Sequence, residues 1–236
     1  MSDKKIGAWH WFDFAKLDST NNYALSQASS LSSSQKILYT AQMQTSGRGR
    51  RGRSWDSPLG NLYFSQLFFS PLSPVEIVYI TALSIVQTIK KITDKLVPQI
   101  KWPNDILIND CKIGGILIEK SEEGAYIIGV GINLISSPKL HSIYPAASLR
   151  DFEIDINRDD FLKLYLAAFE DNLSQSFNAI KNNFLANAYK LHQNITIGLG
   201  DKKISGQFIG IDENGFLLLK QEENTLVINT GEILFS

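Results

Sequence analysis

The sequence predicts an α+β protein in two parts, and three observations predict it. Strand-type runs rich in Val, Ile, Tyr and Phe recur between residues 36 and 135, interrupted by one long amphipathic helix. Two helical stretches follow from Arg158. After His192 the chain becomes short strands separated by Gly and Asp/Asn turns, a pattern that suggests a small barrel. A boundary is therefore expected near 190–193, with one domain over 1–190 and a second over 191–236.

Each element has a local cause. "LDSTNNYALSQASS" reads as a helix start, with Asp18, Ser19 or Thr20 as cap and Tyr23 and Leu25 among the first inward residues. "KILYTAQMQ" reads as a strand running into an irregular loop, where Gly47, Gly49 and Gly52 oppose any regular element. "NLYFSQLFF" is a strand with partial alternation. In "SPVEIVYITALSIVQTIKKIT", Ser73 caps a helix, Pro74 sits in its first turn, and Ile77, Ile80, Leu83, Val86 and Ile89 form its apolar stripe. Strands follow at "PQIKWP", "DILIND", "KIGGILIEK" and "AYIIGVGINL", with Asn109–Asp110 as a hairpin turn. The helix from Arg158 is expected to bury Phe161, Leu164, Tyr165 and Ala168. "NAIKNNFLANAYKLH" is expected to form the last helix.

Composition narrows the function. With 236 residues, 44% hydrophobic and 20% charged, the chain can bury an ordinary core. Lys+Arg 23 against Asp+Glu 24 leaves a net charge of -1, which disfavours a general nucleic-acid binder. The single cysteine, Cys111, excludes an intrachain disulfide and a multi-cysteine metal site and points to a reducing compartment. The start of the sequence resembles neither a signal peptide nor a transit peptide, and no apolar run approaches the roughly 18 residues that span a bilayer. A soluble, cytoplasmic protein is expected.

Against that neutral balance, "SGRGRRGRSW" concentrates Arg48, Arg50, Arg51 and Arg53 in one loop. Forked guanidinium groups suit phosphate and carboxylate oxygens, and the glycines let backbone N–H groups approach a ligand. An exposed nucleic-acid arm or a solvated loop remains open on these residues alone. Trp55 could stack on a purine or anchor the loop. Further on, Asn104 and Asp105 follow Pro103 and could form an Asx turn. Lys112 precedes Gly114 and Gly115 inside an apolar strand that ends in Glu119, and glycine there marks close approach of a ligand or another backbone. Gly129 and Gly131 repeat that theme before Asn133, which could equally satisfy local backbone at a strand end.

The ordered set "DSTN", "Q-x-x-GRGRRGRSW", "KWPND", "KIGGILIE" and "GVGINL" resembles the biotin protein ligase family from about residue 17 to the C-terminus. The resemblance implies a mixed sheet with helices, similar to class II aminoacyl-tRNA synthetases, followed by an SH3-like barrel. It implies activation of biotin by ATP and Mg²⁺ as biotinyl-5′-adenylate, then transfer to a lysine of a biotin carboxyl carrier protein of acetyl-CoA carboxylase or a related carboxylase. With fewer than 20 residues before "DSTN", the chain resembles the short, monofunctional type, so DNA is not an expected partner, and with no long apolar run neither is a membrane. A homodimer is compatible with it.

Residue by residue, Ser19, Thr20 and Asn21 would hold the ureido end of biotin. Gln44, Arg48, Gly49 and Arg50 would line the biotin and phosphate region. Lys112 would place its charge on carboxylate and α-phosphate oxygens beside Gly114 and Gly115. Trp55 would stack on adenine, with Asn104 and Asn133 on the nucleotide side. Asp105 would orient or deprotonate the acceptor lysine. Lys112, Arg48, Arg50 and Asp105 are the expected catalytic group, with no metal ligand among the side chains. The arginine loop is expected to be mobile without ligand and ordered over the adenylate. A lipoate ligase and a nucleic-acid module using the Arg/Gly loop are the rival readings.

Overall fold

The computed structural model describes residues 2–137 and 145–234. Along the chain come β1 (Ser2–Ile6), β2 (Trp9–Phe14), α1 (Thr20–Gln27), β3 (Lys36–Ala41), β4 (Leu62–Phe68) and α2 (Pro74–Ile92). Then follow β5 (Gln99–Lys101), β6 (Asp105–Ile108), β7 (Cys111–Lys120) and β8 (Tyr126–Ile132). Helices α3 (Arg158–Leu173) and α4 (Phe177–Ala186) precede β9 (Asn194–Leu199), β10 (Lys202–Ile211), β11 (Leu217–Gln221), β12 (Asn224–Ile228) and β13 (Glu232–Leu234). The chain divides into two compact units, one of residues 2–72, 113–137 and 146–163, the other of 73–112, 145 and 164–234.

In the first unit the strand order is β1-β2-β3-β4-β8-β7. Only β2 and β3 run parallel, joined by the crossover through α1, and the remaining pairs are antiparallel. This is the mixed sheet expected. Central β4 is buried at all seven positions, so alternation is too weak a signal there. Helix α1 packs on β3, β4 and β8. Its apolar side joins a cluster of Ala24, Ala28, Leu31, Tyr39, Leu67, Ala125 and Ile127, with Phe14 against Tyr23 at 4.8 Å between ring centroids. Burial pushes the Tyr39 phenol up to about 12. Leu25 is not inward: it is 41% exposed. The buried face of α1 holds Thr20, Asn21 and Ala24, and Leu25 lies one position round from that face.

In the second unit α2 begins as expected with Ser73 as cap and Pro74 in the first turn; Glu76 completes the cap, Ser73 accepting from the Glu76 amide and Glu76 from the Ser73 amide. Tyr79 on α2 is its cross-brace. The ring stacks on Phe184 of α4 at 3.9 Å, its hydroxyl donates to the Gly215 carbonyl at 2.6 Å, and it accepts from Trp102 Nε1 at 3.1 Å. Gly215 has φ +81, and a Cβ there would lie 2.4 Å from Val75, so the turn needs glycine twice over. Strands β5 and β6 pair antiparallel through Lys101 and Asp105. Strands β9 to β13 form an antiparallel sheet in the order β12-β11-β10-β9-β13. The buried face of α3 is Phe161, Leu162, Tyr165, Leu166 and Phe169, while Leu164 and Ala168 are only half-buried. The expected stripe was therefore rotated by about one residue. Among the described residues no helix is long and apolar enough to cross a membrane.

Candidate active site

A helix start with buried polar side chains is costly unless each group finds a partner. Ser19 caps α1 by accepting from the Asn22 amide. Next to it Thr20 and Asn21 are 4% and 3% exposed, which sets this turn apart from an ordinary surface helix. Gln44 Oε1 accepts from the Thr20 amide at 2.8 Å and from Thr20 Oγ1 at 3.2 Å, while Gln44 Nε2 donates to Ser57 Oγ at 2.8 Å. Ser65 Oγ lies 2.8 Å from Thr20 Oγ1 and 2.5 Å from Asn21 Oδ1, its one proton serving one of the two. Asn21 Nδ2 donates to Glu119 Oε2 at 2.9 Å. Asp18, just before the cap, accepts from Asn22 Nδ2, which holds its carboxyl below the usual range.

The arginine loop has more order than its glycines suggest. It folds back on itself, with Trp55 N donating to Gly47 O at 2.8 Å and Gly49 N to Arg53 O at 2.7 Å. A 3-10 turn spans Arg50–Gly52, with Arg51 at φ 57 and Gly52 at φ 73. Gly47 is required by close approach, since a Cβ would lie 2.3 Å from Trp55 O. The Arg48 fork is engaged: Nη2 donates to Glu119 Oε1 at 2.7 Å, and Nη1 to Glu119 Oε2 at 3.0 Å and to Asn22 Oδ1 at 2.9 Å.

The strand glycines make room for protein atoms. A Cβ on Gly129 would meet Asn21 Oδ1 at 2.2 Å, on Gly131 the Trp55 indole at 2.6 Å, and on Gly114 the Ile132 side chain at 2.6 Å. Gly115 pairs with Gly131 in the β7–β8 ladder. Close approach of neighbouring groups is thus their observed use, and Trp55 is seated against Gly131. Asn133 is buried; its Nδ2 donates to Ala147 O at 3.1 Å and its amide to Ile113 O at 2.8 Å. That is the strand-end arrangement.

In the second unit the hairpin turn is as expected, with Asn109 at φ 48 and Asp110 at φ 61, the left-handed pair a two-residue turn requires. It carries β6 back into the start of β7, and Lys112 Nζ lies 2.7 Å from Asp105 Oδ1. On the other carboxylate oxygen stands Lys101 Nζ at 3.8 Å, with a side chain only 1% exposed. Two lysines thus flank one carboxylate. Asn104 is half-buried in the turn before β6, and Cys111 is a half-buried free thiol. Among the described residues no group of three or more His, Cys, Asp or Glu could hold a metal ion.

Two residues in these networks escaped sequence reasoning. Lys101 sits inside "KWPND" and Glu119 at the end of a strand run, with no motif that marks either by itself. A lysine and a glutamate flanking otherwise apolar strand runs were the available signal.

Residues 13–133 match the Biotin/lipoate A/B protein ligase family, and residues 190–236 the Biotin protein ligase C terminal domain. A biotin–[acetyl-CoA-carboxylase] ligase from Paracoccus denitrificans is 34% identical over 94% of this chain and 98% of its own. The bifunctional ligase/repressor BirA of Escherichia coli is 32% identical over 87% of this chain and 68% of its own. Among solved structures, biotin protein ligase from Aquifex aeolicus in complex with biotin and ATP is similar with a TM-score of 0.83 and 29% identity, covering 94% of this chain and 97% of that one.

Proposed function

The chain belongs to the biotin protein ligase family, and we propose that its side chains divide the work of two half-reactions. The enzyme activates biotin with ATP as biotinyl-5′-adenylate and transfers the biotinyl group to a carrier lysine. The observation that carries the assignment of roles is the 2.7 Å pair of Lys112 and Asp105, two residues before Gly114 on the same strand.

In the first step the biotin carboxylate attacks the α-phosphorus and pyrophosphate leaves. Both reactants are anionic, so fixed cations lower the barrier by stabilising charge that develops on phosphate oxygens. Lys112 supplies one cation and Arg50 another, on a loop whose turn is closed by the Gly49 amide. Mg²⁺, brought with ATP, would add positive charge at the phosphates beside Lys112 and Arg50. Ser19, Thr20 and Gln44 face the polar end of biotin; Asn21 is occupied by Ser65 and Glu119 and acts as the supporting wall. Trp55 and Asn133 border the nucleotide, with Asn104 beside it. In the second step the acceptor ammonium loses its proton, the amine attacks the acyl carbon of the mixed anhydride and AMP leaves, and Asp105 is the carboxylate suited to hold that ammonium.

The acceptor is proposed to be the biotin carboxyl carrier protein of acetyl-CoA carboxylase or a related carboxylase. Residues 191–236 are proposed as a separate SH3-like domain, lying within the 190–236 match to the C-terminal domain family. A cytoplasmic enzyme that binds no DNA, with a homodimer compatible, agrees with one cysteine and a net charge of -1. The test is incubation with biotin and MgATP, then addition of a carrier domain. Biotinyl-adenylate, pyrophosphate and a biotinylated lysine are expected; transfer of lipoate in preference to biotin would replace this reading.

A further inference from the structure

Arg48 is one of four arginines that the loop would turn toward an anion, yet its fork is filled by protein. Both Glu119 oxygens accept from it, and Asn22 accepts as well. Bidentate guanidinium–carboxylate pairing fixes orientation as well as charge. Glu119 is not a surface partner met by chance. Its side chain is 24% exposed, and Oε2 also accepts from Asn21 Nδ2. Asn21 is held in turn by Ser65 and pressed onto β8 where Gly129 has no Cβ. Ser65 also reaches Thr20, and Thr20 binds Gln44. The polar contacts therefore run unbroken from Gln44 and Thr20 through Ser65 and Asn21 to Glu119, and from Glu119 to Arg48 in the loop.

We propose that Glu119 is a positioning residue that couples the polar pocket at the start of α1 to closure of the arginine loop. It acts through Arg48: the carboxylate straps the loop to β7 and α1. A group that orders the first turn of α1 also orders Asn21, then Glu119, then the strap. Loss of the strap lets the loop open while the adenylate is bound, so the mixed anhydride escapes or hydrolyses before transfer. The inference rests on the ligase reading above for its catalytic consequence, and on the structure alone for the strap.

Glu119→Gln keeps the shape and an acceptor for Asn21 but removes the charge. Three measurements are made on it, on Arg48→Gln, on the double variant and on Glu119→Asp. They are thermal stability, trypsin cleavage within residues 48–53 of the free protein, and the ratio of adenylate released to biotin transferred. Arg50, Arg51 and Arg53 keep the loop cleavable when Arg48 is replaced. Glu119→Gln is expected to melt near wild type, with cleavage and the released-to-transferred ratio each rising by up to about fivefold. Arg48→Gln should match it, the double variant should be no worse than either, and Glu119→Asp should recover part of the effect. Wild-type cleavage in Glu119→Gln, or effects of the two single changes that add, would overturn the proposal. A wild-type enzyme that forms no adenylate would sink the ligase reading instead, and the cleavage comparison would still decide the strap.

Discussion

Arg48 and Lys112 are both cations paired with a carboxylate at 2.7 Å, but their surroundings differ. The Arg48 side chain is 40% exposed and sits on a glycine-rich loop, where such a pair contributes about 0–1 kcal/mol because water screens it and long side chains resist ordering. Lys112 is 24% exposed, and its partner Asp105 is itself shared with Lys101, whose side chain is buried to 1%. Separating a buried ion pair costs about 3–5 kcal/mol when one partner is removed. The loop pair can thus open and close at little cost, whereas the hairpin triad holds its charges in place before any substrate arrives. One region suits a lid and the other a fixed electrostatic site.

If that contrast is right, removing the fixed cation does the most damage. Lys112→Ala should lower the rate of adenylate formation by about 10²–10³ in protein that is still folded at the assay temperature, because Lys101 stays on Asp105. Near-normal adenylation by this variant breaks the contrast at its centre.

Asp105→Asn comes next. Adenylate should still form, but single-turnover transfer from preformed adenylate should slow about 10²-fold, the contribution typical of a positioned base. Collapse of adenylate synthesis with unchanged transfer would move Asp105 into nucleotide binding. It would also leave Lys101 as the reason for its burial.

The lid side is tested by protection. Trypsin cleavage within residues 48–53 should slow about tenfold when biotin and MgATP are added, since an exposed loop with weak ties opens readily until a ligand holds it. Equal cutting with and without ligand would make the loop a static wall.

The smallest effect sharpens the link between the glycines and the α1 pocket. Gly129→Ala puts a Cβ within 2.2 Å of the Asn21 amide, and over-packing of this kind costs about 1–3 kcal/mol. Its melting temperature should fall by a few degrees and its KM for biotin should rise, with the KM for ATP little changed. An unchanged biotin KM would mean that Asn21 plays no part in shaping the pocket.

Local chemistry was readable in the chain wherever a few neighbouring residues decide the outcome. Ser73 and Pro74 start α2, Asn109–Asp110 make the hairpin turn, and the cap of α1 falls on Ser19 among the three candidates 18–20, because caps and two-residue turns depend on side chains within three or four positions. The order of five short motifs carried the family. What the sequence alone left undecided was the partner of each charged or polar group. Arg48 belongs with Glu119, 71 residues away, Asn21 with Glu119, 98 away, and Lys101 with Asp105 across a strand pair. The inward faces of α1 and α3 were likewise settled by what each helix packs upon, which turned Leu25 outward and brought Phe169 in. Strand glycines show the reason most plainly. A missing Cβ announces that something comes close, but only the folded sheet decides that at Gly129 it is Asn21 and at Gly131 it is Trp55.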